Sequence, residues 1–271
     1  MGSESYPKLP FLDFSKPELT KPGTPQWESL KSQVREALEE YGCFEASFDK
    51  ISVEIRTAVF ESLEELFDLP LQTKLRNVSK KPFHGYVGQY PQAPLYESMG
   101  IDDADALEKV ETLTKTWPQG NPSFRVMKYK GPQTPDTKIG LYAHTDKNIV
   151  TILYQNQVEG LEVQTKDGGW IKFQPSPNSF IVMIGDSLNA WLNGRLHSAF
   201  HRVMMSGNEA RYSLGLFSIP RAGYIIKAPE EVVDEEHPLV FKPFDHVEFL
   251  KFYYSEAGQR APSALHAYCG V

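Results

Sequence analysis

Three short clusters in this chain carry side chains that could do chemistry together: His144-Thr145-Asp146, His201-Arg202-Val203 and Arg211-Tyr212-Ser213. In a β-strand, side chains two positions apart share a face. Read as a strand, His144 and Asp146 therefore offer an imidazole and a carboxylate to one ion. A second histidine from a distant strand completes a facial triad, which suits non-haem Fe(II) and leaves positions open for a chelating co-substrate and O2. His201 is a better choice for that histidine than His197. It opens an extended run in which Val203 and Met205 share its face, whereas His197 sits in the preceding turn after Asn193-Gly194. Arg211 and Ser213 are again two apart. A planar guanidinium grips a carboxylate through two parallel hydrogen bonds, which lysine cannot imitate. The natural reading is a buried dicarboxylic acid held by a metal at one end and by Arg211 at the other. Two imidazoles and a carboxylate also bind Zn(II), but a zinc hydrolase has no need of the Arg211-x-Ser213 pair. A jelly roll that keeps the site without turnover is the reading from another class. His237, His246 and His266 have no partner pattern and read as surface or structural histidines.

The elements that position these residues are mostly short strands. Segments 125–129, 150–154, 161–165, 170–173, 180–184, 201–205 and 212–219 are rich in β-branched and aromatic residues, and turn signals such as Gly131-Pro132, Asp167-Gly168-Gly169 and Ser206-Gly207-Asn208 separate them. Many short strands at regular spacing indicate a sandwich or barrel. With ligands inside, a double-stranded β-helix (jelly roll) fits best. The expected fold is mainly β with flanking α. Residues 1–124 form an N-terminal helical and loop region, and residues 125–271 form the jelly roll with a C-terminal helix carrying Phe244, Val247, Phe249, Leu250 and Tyr253. Upstream, residues 9–14 read as a short edge strand. Thr24 caps a helix that has Pro25 at its first position. Trp27, Leu30, Val34, Leu38 and Tyr41 make its apolar stripe, and Gly42 ends it. A second helix puts Ile51, Ile55, Val59, Leu63, Leu66 and Phe67 on one face and stops before Pro70. Between 75 and 125 the pattern blurs. Residues 83–86 read as loop or edge strand, 102–108 as an acidic helical turn, and 110–117 as a strand.

Composition narrows the classes. A chain of 271 residues with a formal net charge of −7 can bury a substantial core and is a poor partner for nucleic acid. Two cysteines, Cys43 and Cys269, make no disulfide framework and suggest a reducing cytosol. The polar N-terminus lacks a secretory h-region. Apolar runs such as 180–184 are too short to span a bilayer. Asn77-Val78-Ser79 matches a glycosylation triplet that means nothing in a cytosolic chain.

The chain resembles the plant 2-oxoglutarate and Fe(II)-dependent dioxygenases. Besides the three clusters, the resemblance rests on residues 9–13, on Tyr41-Gly42-Cys43-Phe44, on Phe67-Asp68-Leu69-Pro70 with Lys74, on Gly185-Asp186 and on Asn193-Gly194. Within the family it is most similar to the AOP branch. The resemblance implies that His144, Asp146 and His201 hold Fe(II), and that Arg211, Ser213 and Tyr129 hold 2-oxoglutarate. It also implies that Tyr142 and Phe217 face the substrate. A small, apolar or aromatic plant metabolite is then oxidised, by hydroxylation or a related reaction, with release of succinate and CO2 and with ascorbate as a helpful additive. A cytoplasmic monomer or weak dimer is expected, without nucleic-acid or membrane partners. Two departures stand out. Where relatives often carry Asn two residues before the tyrosine, this chain has Met127, which donates no hydrogen bond. Relatives also carry a long helical stretch before the first strand of the roll, and here residues 117–124 run almost directly into Arg125. The chain reads as several tens of residues short at that junction. The outer face of the large sheet is then expected to be partly bare, with a weak or inactive binding protein as the alternative outcome.

Overall fold

The computed structural model describes residues 8–79, 85–101 and 120–271. His84, the acidic turn at 102–108 and the strand at 110–117 fall outside the described residues.

Two sheets face each other. The larger has eight strands in the order β1-β2-β10-β7-β12-β5-β4-β3. Their ranges are β1 Phe11–Asp13, β2 Cys43–Ser47, β3 Tyr86–Val87, β4 Tyr96–Ile101, β5 Gly120–Tyr129, β7 Val150–Gln155, β10 Ser179–Ile184 and β12 Arg211–Pro220. The smaller has the order β6-β11-β8-β9, from β6 Lys138–His144, β11 His201–Met205, β8 Leu161–Gln164 and β9 Trp170–Lys172. The inner faces meet in a core that includes Met127, Leu153, Leu161, Val163, Ile181, Met183, Val203 and Met205. The result is a jelly roll with flanking helices. Alternation along the strands creates it: on β7, Thr151, Leu153 and Gln155 are buried while Ile152 between them is exposed.

The outer face of the large sheet carries two helices. In α1 (Pro25–Glu40) the Thr24 hydroxyl accepts the Trp27 amide, and Leu30 and Ala37 bury against Leu12, Phe44 and Ala46. Gly42 follows at φ +67, packed against the backbone of His197 and Ala199, where a side chain has no room. In α2 (Val53–Asp68) Leu63 and Phe67 bury against Met99, Val126 and Tyr212. The stripe is shorter than the sequence suggests. Ser52 caps the helix at the Ile55 amide, so Ile51 lies before it, and Ile55 is 59% exposed beyond the sheet edge. After a single turn, α3 (Leu71–Lys74), the buried Lys74 ammonium meets the Glu97 carboxylate at 2.5 Å and the Phe67 carbonyl at 2.9 Å. That pair fastens the helical side to β4.

Between the two helices an outward row crosses the sheet: Val182 opposite Ile152, Ile152 opposite Leu216, Leu216 opposite Phe124. All four are apolar, and Ile152 is 38% exposed although β7 is an interior strand.

Two further elements depart from the sequence reading. β4 lies between β3 and β5, where Ser98 and Gly100 dilute its apolar pattern. The C-terminal part is three short helices, α5 His246–Tyr253, α6 Glu256–Arg260 and α7 Ala264–Cys269. Asp245 accepts the amides of Val247 and Glu248, so the helix begins after it, and Phe244 lies instead in β14 (Phe244–Asp245), paired with β13 (Ile225–Ile226). Phe249 is fully buried among Phe241, Phe244 and Leu265. No described helix is long and apolar enough to cross a membrane.

Candidate metal and co-substrate site

His144 ends β6 and stands directly opposite His201, which opens β11. Their rings lie 4.4 Å apart. Each Nδ1 meets the carbonyl two residues back, Tyr142 at 2.8 Å and Ala199 at 3.0 Å. A carbonyl only accepts, so each Nδ1 carries the hydrogen and each Nε2 keeps its lone pair for a ligand.

Asp146 arrives by another route than strand alternation, because β6 stops at His144 and Asp146 lies in the following loop. The loop is held at both ends. The Thr151 hydroxyl donates to Asp146 Oδ2 at 2.5 Å, and the Asp186 amide donates to the Asp146 carbonyl at 2.8 Å. Gly185 lets the chain pass there, since a side chain would run into the Asn148 and Asp146 carbonyls. Asp186 opens a short helix, α4 (Asp186–Trp191), and its carboxylate takes the Lys147 ammonium at 2.8 Å. Asp146 Oδ1 then stands 3.8 Å from His144 Nε2, and the three ligating atoms lie within 4.8 Å of one another. Among the described residues this is the one cluster of its kind.

Electrostatics prepare the cluster for a cation. Burial, and then the neighbouring His201, push the His144 pKa down to about 4. Burial alone would raise Asp146, but the two imidazoles and the Thr151 hydroxyl outweigh it and hold the carboxyl below its usual range. A neutral imidazole and an ionised carboxylate are the forms that bind metal.

Arg211, at the start of β12, is 1% exposed. Its Nη2 donates to Gln155 Oε1 at 2.6 Å and its Nη1 to Ser213 Oγ at 3.3 Å, while the Tyr129 ring lies 5.1 Å below it. These partners are all neutral. Its Nε is buried with no hydrogen-bond partner among the described residues, and burial pulls the guanidinium pKa down. A buried cation without an anion is costly, and the geometry left open is the one a carboxylate fills. Met127 does not supply the donor that relatives often carry there. Its sulfur lies 3.8 Å from the Tyr129 hydroxyl.

One cavity of about 440 Å³ joins these groups. His144, Asp146, His201, Arg211, Ser213, Tyr129, Tyr142 and Phe217 all line it. Tyr142 is 55% exposed at its mouth. Sequence reasoning missed other members. Thr151 in the cavity wall and Gln155 behind Arg211 are the polar inward positions of β7, a signal visible as polar residues alternating with apolar ones inside an interior strand. Arg125, Leu250, Tyr253 and His246 also line the cavity.

His246 is a structural histidine, one of the two readings the sequence left open, and its side chain also reaches the cavity wall. It is 2% exposed, with Nδ1 3.1 Å from the Ser187 hydroxyl. That hydroxyl donates to the Lys147 carbonyl at 2.6 Å, so it accepts from His246 Nδ1–H. Burial lowers the His246 pKa to about 4. The unfolded chain takes up this proton as pH falls through about 6.5, the folded chain only near 4. Stability present above about 6.5 should therefore fall away toward pH 4, by at most on the order of 3 kcal/mol from this residue. Chemical unfolding of the metal-free protein between pH 7 and 4.5 should show a shallower decline in His246→Asn than in the wild type. An equal decline would mean that His246 is not held neutral.

The 2OG-Fe(II) oxygenase superfamily matches residues 120–220 and the N-terminal family of the non-haem dioxygenase in morphine synthesis matches residues 9–147. Among curated proteins, the probable 2-oxoglutarate-dependent dioxygenase AOP1.2 of Arabidopsis thaliana is 50% identical, covering 96% of this chain and 95% of its own. The 2-oxoglutarate-dependent dioxygenase AOP3 of the same plant is 34% identical over 100% of this chain and 99% of its own. The first of these alignments runs over 311 positions, so that relative carries several tens of residues inside the matched span that this chain does not. Among solved structures, the rice dioxygenase for auxin oxidation superposes with a TM-score of 0.80 at 28% identity, covering 97% of this chain and 100% of that one.

Proposed function

The chain belongs to the 2-oxoglutarate- and Fe(II)-dependent oxygenases, and from that premise we propose that His144, Asp146 and His201 hold its Fe(II) while Arg211, Ser213 and Tyr129 hold the far carboxylate of its 2-oxoglutarate. The enzyme is a dioxygenase that oxidises a small plant metabolite. The observation that carries the residue assignment is Arg211: a buried guanidinium with neutral neighbours and an unpartnered Nε, in the same cavity as the triad. Bound Fe(II) with 2-oxoglutarate and O2 supplies the oxidation, yielding succinate and CO2.

The residues of the chain do the positioning. The carbonyls of Tyr142 and Ala199 fix both imidazoles with Nε2 presented, and Thr151 fixes the carboxylate. Gln155 holds one arm of Arg211 so that the rest of the fork faces the cavity. Tyr142, Phe217 and Leu250 line the remaining space. All the proposed ligands lie in residues 125–271, which we take as the catalytic part, with residues 1–124 as its brace. Both cysteines are buried and unpaired, which supports a reducing cytosolic location.

The test is succinate formation. Purified protein given Fe(II), ascorbate and 2-oxoglutarate should form succinate, and a plant extract added to it should yield products heavier by one oxygen or the corresponding desaturated or dealkylated products. Protein that binds Fe(II) yet forms no succinate under any of these conditions would overturn the reading in favour of a binding protein.

A further inference from the structure

Asn148 follows Asp146 in the same loop, lines the same cavity and is 4% exposed. Its Nδ2 donates to the Val150 carbonyl and to the Thr151 hydroxyl oxygen, each at 3.0 Å. A carbonyl only accepts, so the atom turned towards Val150 is the amide nitrogen, and the opposite placement of the amide is ruled out. On its other side, Oδ1 has no hydrogen-bond partner among the described residues. It faces the Gly185 backbone, where an added Cβ would come within 2.6 Å of it. The amide is therefore fixed from both sides.

That orientation decides where the Thr151 proton goes. The Thr151 backbone is held on both sides, opposite Met183 of β10 and Phe217 of β12, and the residue is 1% exposed. A hydroxyl has one hydrogen to give and turns it to suit its neighbours. An Asn148 N–H already points at Thr151 Oγ1, so the hydroxyl hydrogen turns away from it, onto Asp146 Oδ2. The chain of donors runs one way, from Asn148 to Thr151 to Asp146. It engages Oδ2 and leaves Oδ1, the oxygen 3.8 Å from His144 Nε2. A carboxylate binds a cation through one oxygen or through both. A second bound oxygen would take up a position that the co-substrate or O2 needs.

Resting on the metal assignment above, we propose that Asn148 is a positioning residue for the metal centre: by directing the Thr151 hydroxyl onto Asp146 Oδ2, it keeps Asp146 ligating through Oδ1 alone and so keeps a coordination position open. Asn148 acts through Thr151 and touches neither substrate nor co-substrate in this role.

The test uses the full chain with Mn(II) in place of iron and no co-substrate. The relaxation of water protons by bound Mn(II) counts the water molecules on the ion. An octahedral ion held by one atom from each of the triad residues keeps about three positions for water. Asn148→Ala removes the donor, and Asn148→Leu removes it while keeping the branched shape. Both should lower the relaxivity of the bound ion by about a third, as Asp146 closes on it with both oxygens. Thr151→Val should do the same. With Fe(II) and 2-oxoglutarate in air, succinate formation per bound metal should fall about tenfold or more in these variants. In a Thr151→Val background, either Asn148 substitution should move neither readout further, because the hydroxyl it acts through is gone. The proposal fails if Thr151→Val or the Asn148 variants keep the wild-type relaxivity, or if the Asn148 effect is the same with and without the Thr151 hydroxyl. A relaxivity that Asp146→Ala leaves unchanged overturns the metal assignment and this proposal with it. A protein whose relaxivity responds as expected but that forms no succinate sinks the catalytic reading and leaves this one standing.

Discussion

Asp146→Ala is expected to abolish succinate formation and to weaken Fe(II) binding by orders of magnitude. Asp146 is the one anionic member of the triad, and burial holds the His144 imidazole beside it neutral. Removing it leaves two nitrogen donors and no negative charge for the dication. The loss comes without collapse of the surroundings, because Asp146 meets its neighbours through its main-chain carbonyl and through the Thr151 hydroxyl, which water can satisfy in the variant. A milder version separates position from ligation. Thr151→Val keeps the carboxylate but frees it to rotate, and outer-shell changes of that kind typically cost about 10–100-fold in metal affinity or activity. Anaerobic metal titration together with succinate assays reads both variants. Wild-type turnover in Asp146→Ala would remove this residue from the metal site.

Arg211→Lys should raise the 2-oxoglutarate requirement steeply while leaving metal affinity close to normal. Lysine keeps the charge but not the fork, and it cannot at once meet Gln155, meet Ser213 and present a second pair of donors to a carboxylate. Arg211→Gln removes the charge as well. Breaking a buried charge pair costs about 3–5 kcal/mol, which is on the order of 10²–10⁴-fold in the apparent 2-oxoglutarate KM. The ordering matters as much as the size: wild type tightest, Lys next, Gln weakest. Metal titration controls for misfolding, since the triad lies on other elements. An unchanged KM in either variant would refute the anchor.

Much of this arrangement is legible in the chain because it is local. Thr24 before Pro25 starts α1 where the cap and the proline say it must. His201 sits on an interior strand whose alternation, with Val203 and Met205 buried on its own face, announces which way it points, and Arg211 is legible through its spacing from Ser213. Asp146 is the instructive exception. Its spacing from His144 suggested one strand face, yet a loop places it, and that loop depends on Thr151 and on the Gly185-Asp186 turn, neither of them a strand neighbour. Contacts between residues far apart in sequence leave no periodic trace. The same reason hides Gln155 behind Arg211 and His246 behind Ser187. In β4, Ser98 and Gly100 fall where apolar residues would have marked the strand. Ile51 and Ile55 mislead in the opposite direction, since they continue a stripe past the point where the sheet can cover it.

The triad also ties two layers together. His144 and His201 belong to the small sheet, while Asp146 is bonded through Thr151 to β7 at the middle of the large one. A cation held by all three is a clasp across the seam of the roll. Whatever binds only the folded form shifts the folding equilibrium towards it, by about 2.7 kcal/mol when present at a hundred times its dissociation constant. Iron supply then governs how long each molecule survives as well as how fast it works. In an iron-poor cell, the enzyme's abundance should fall by degradation, with no change in the rate at which it is made.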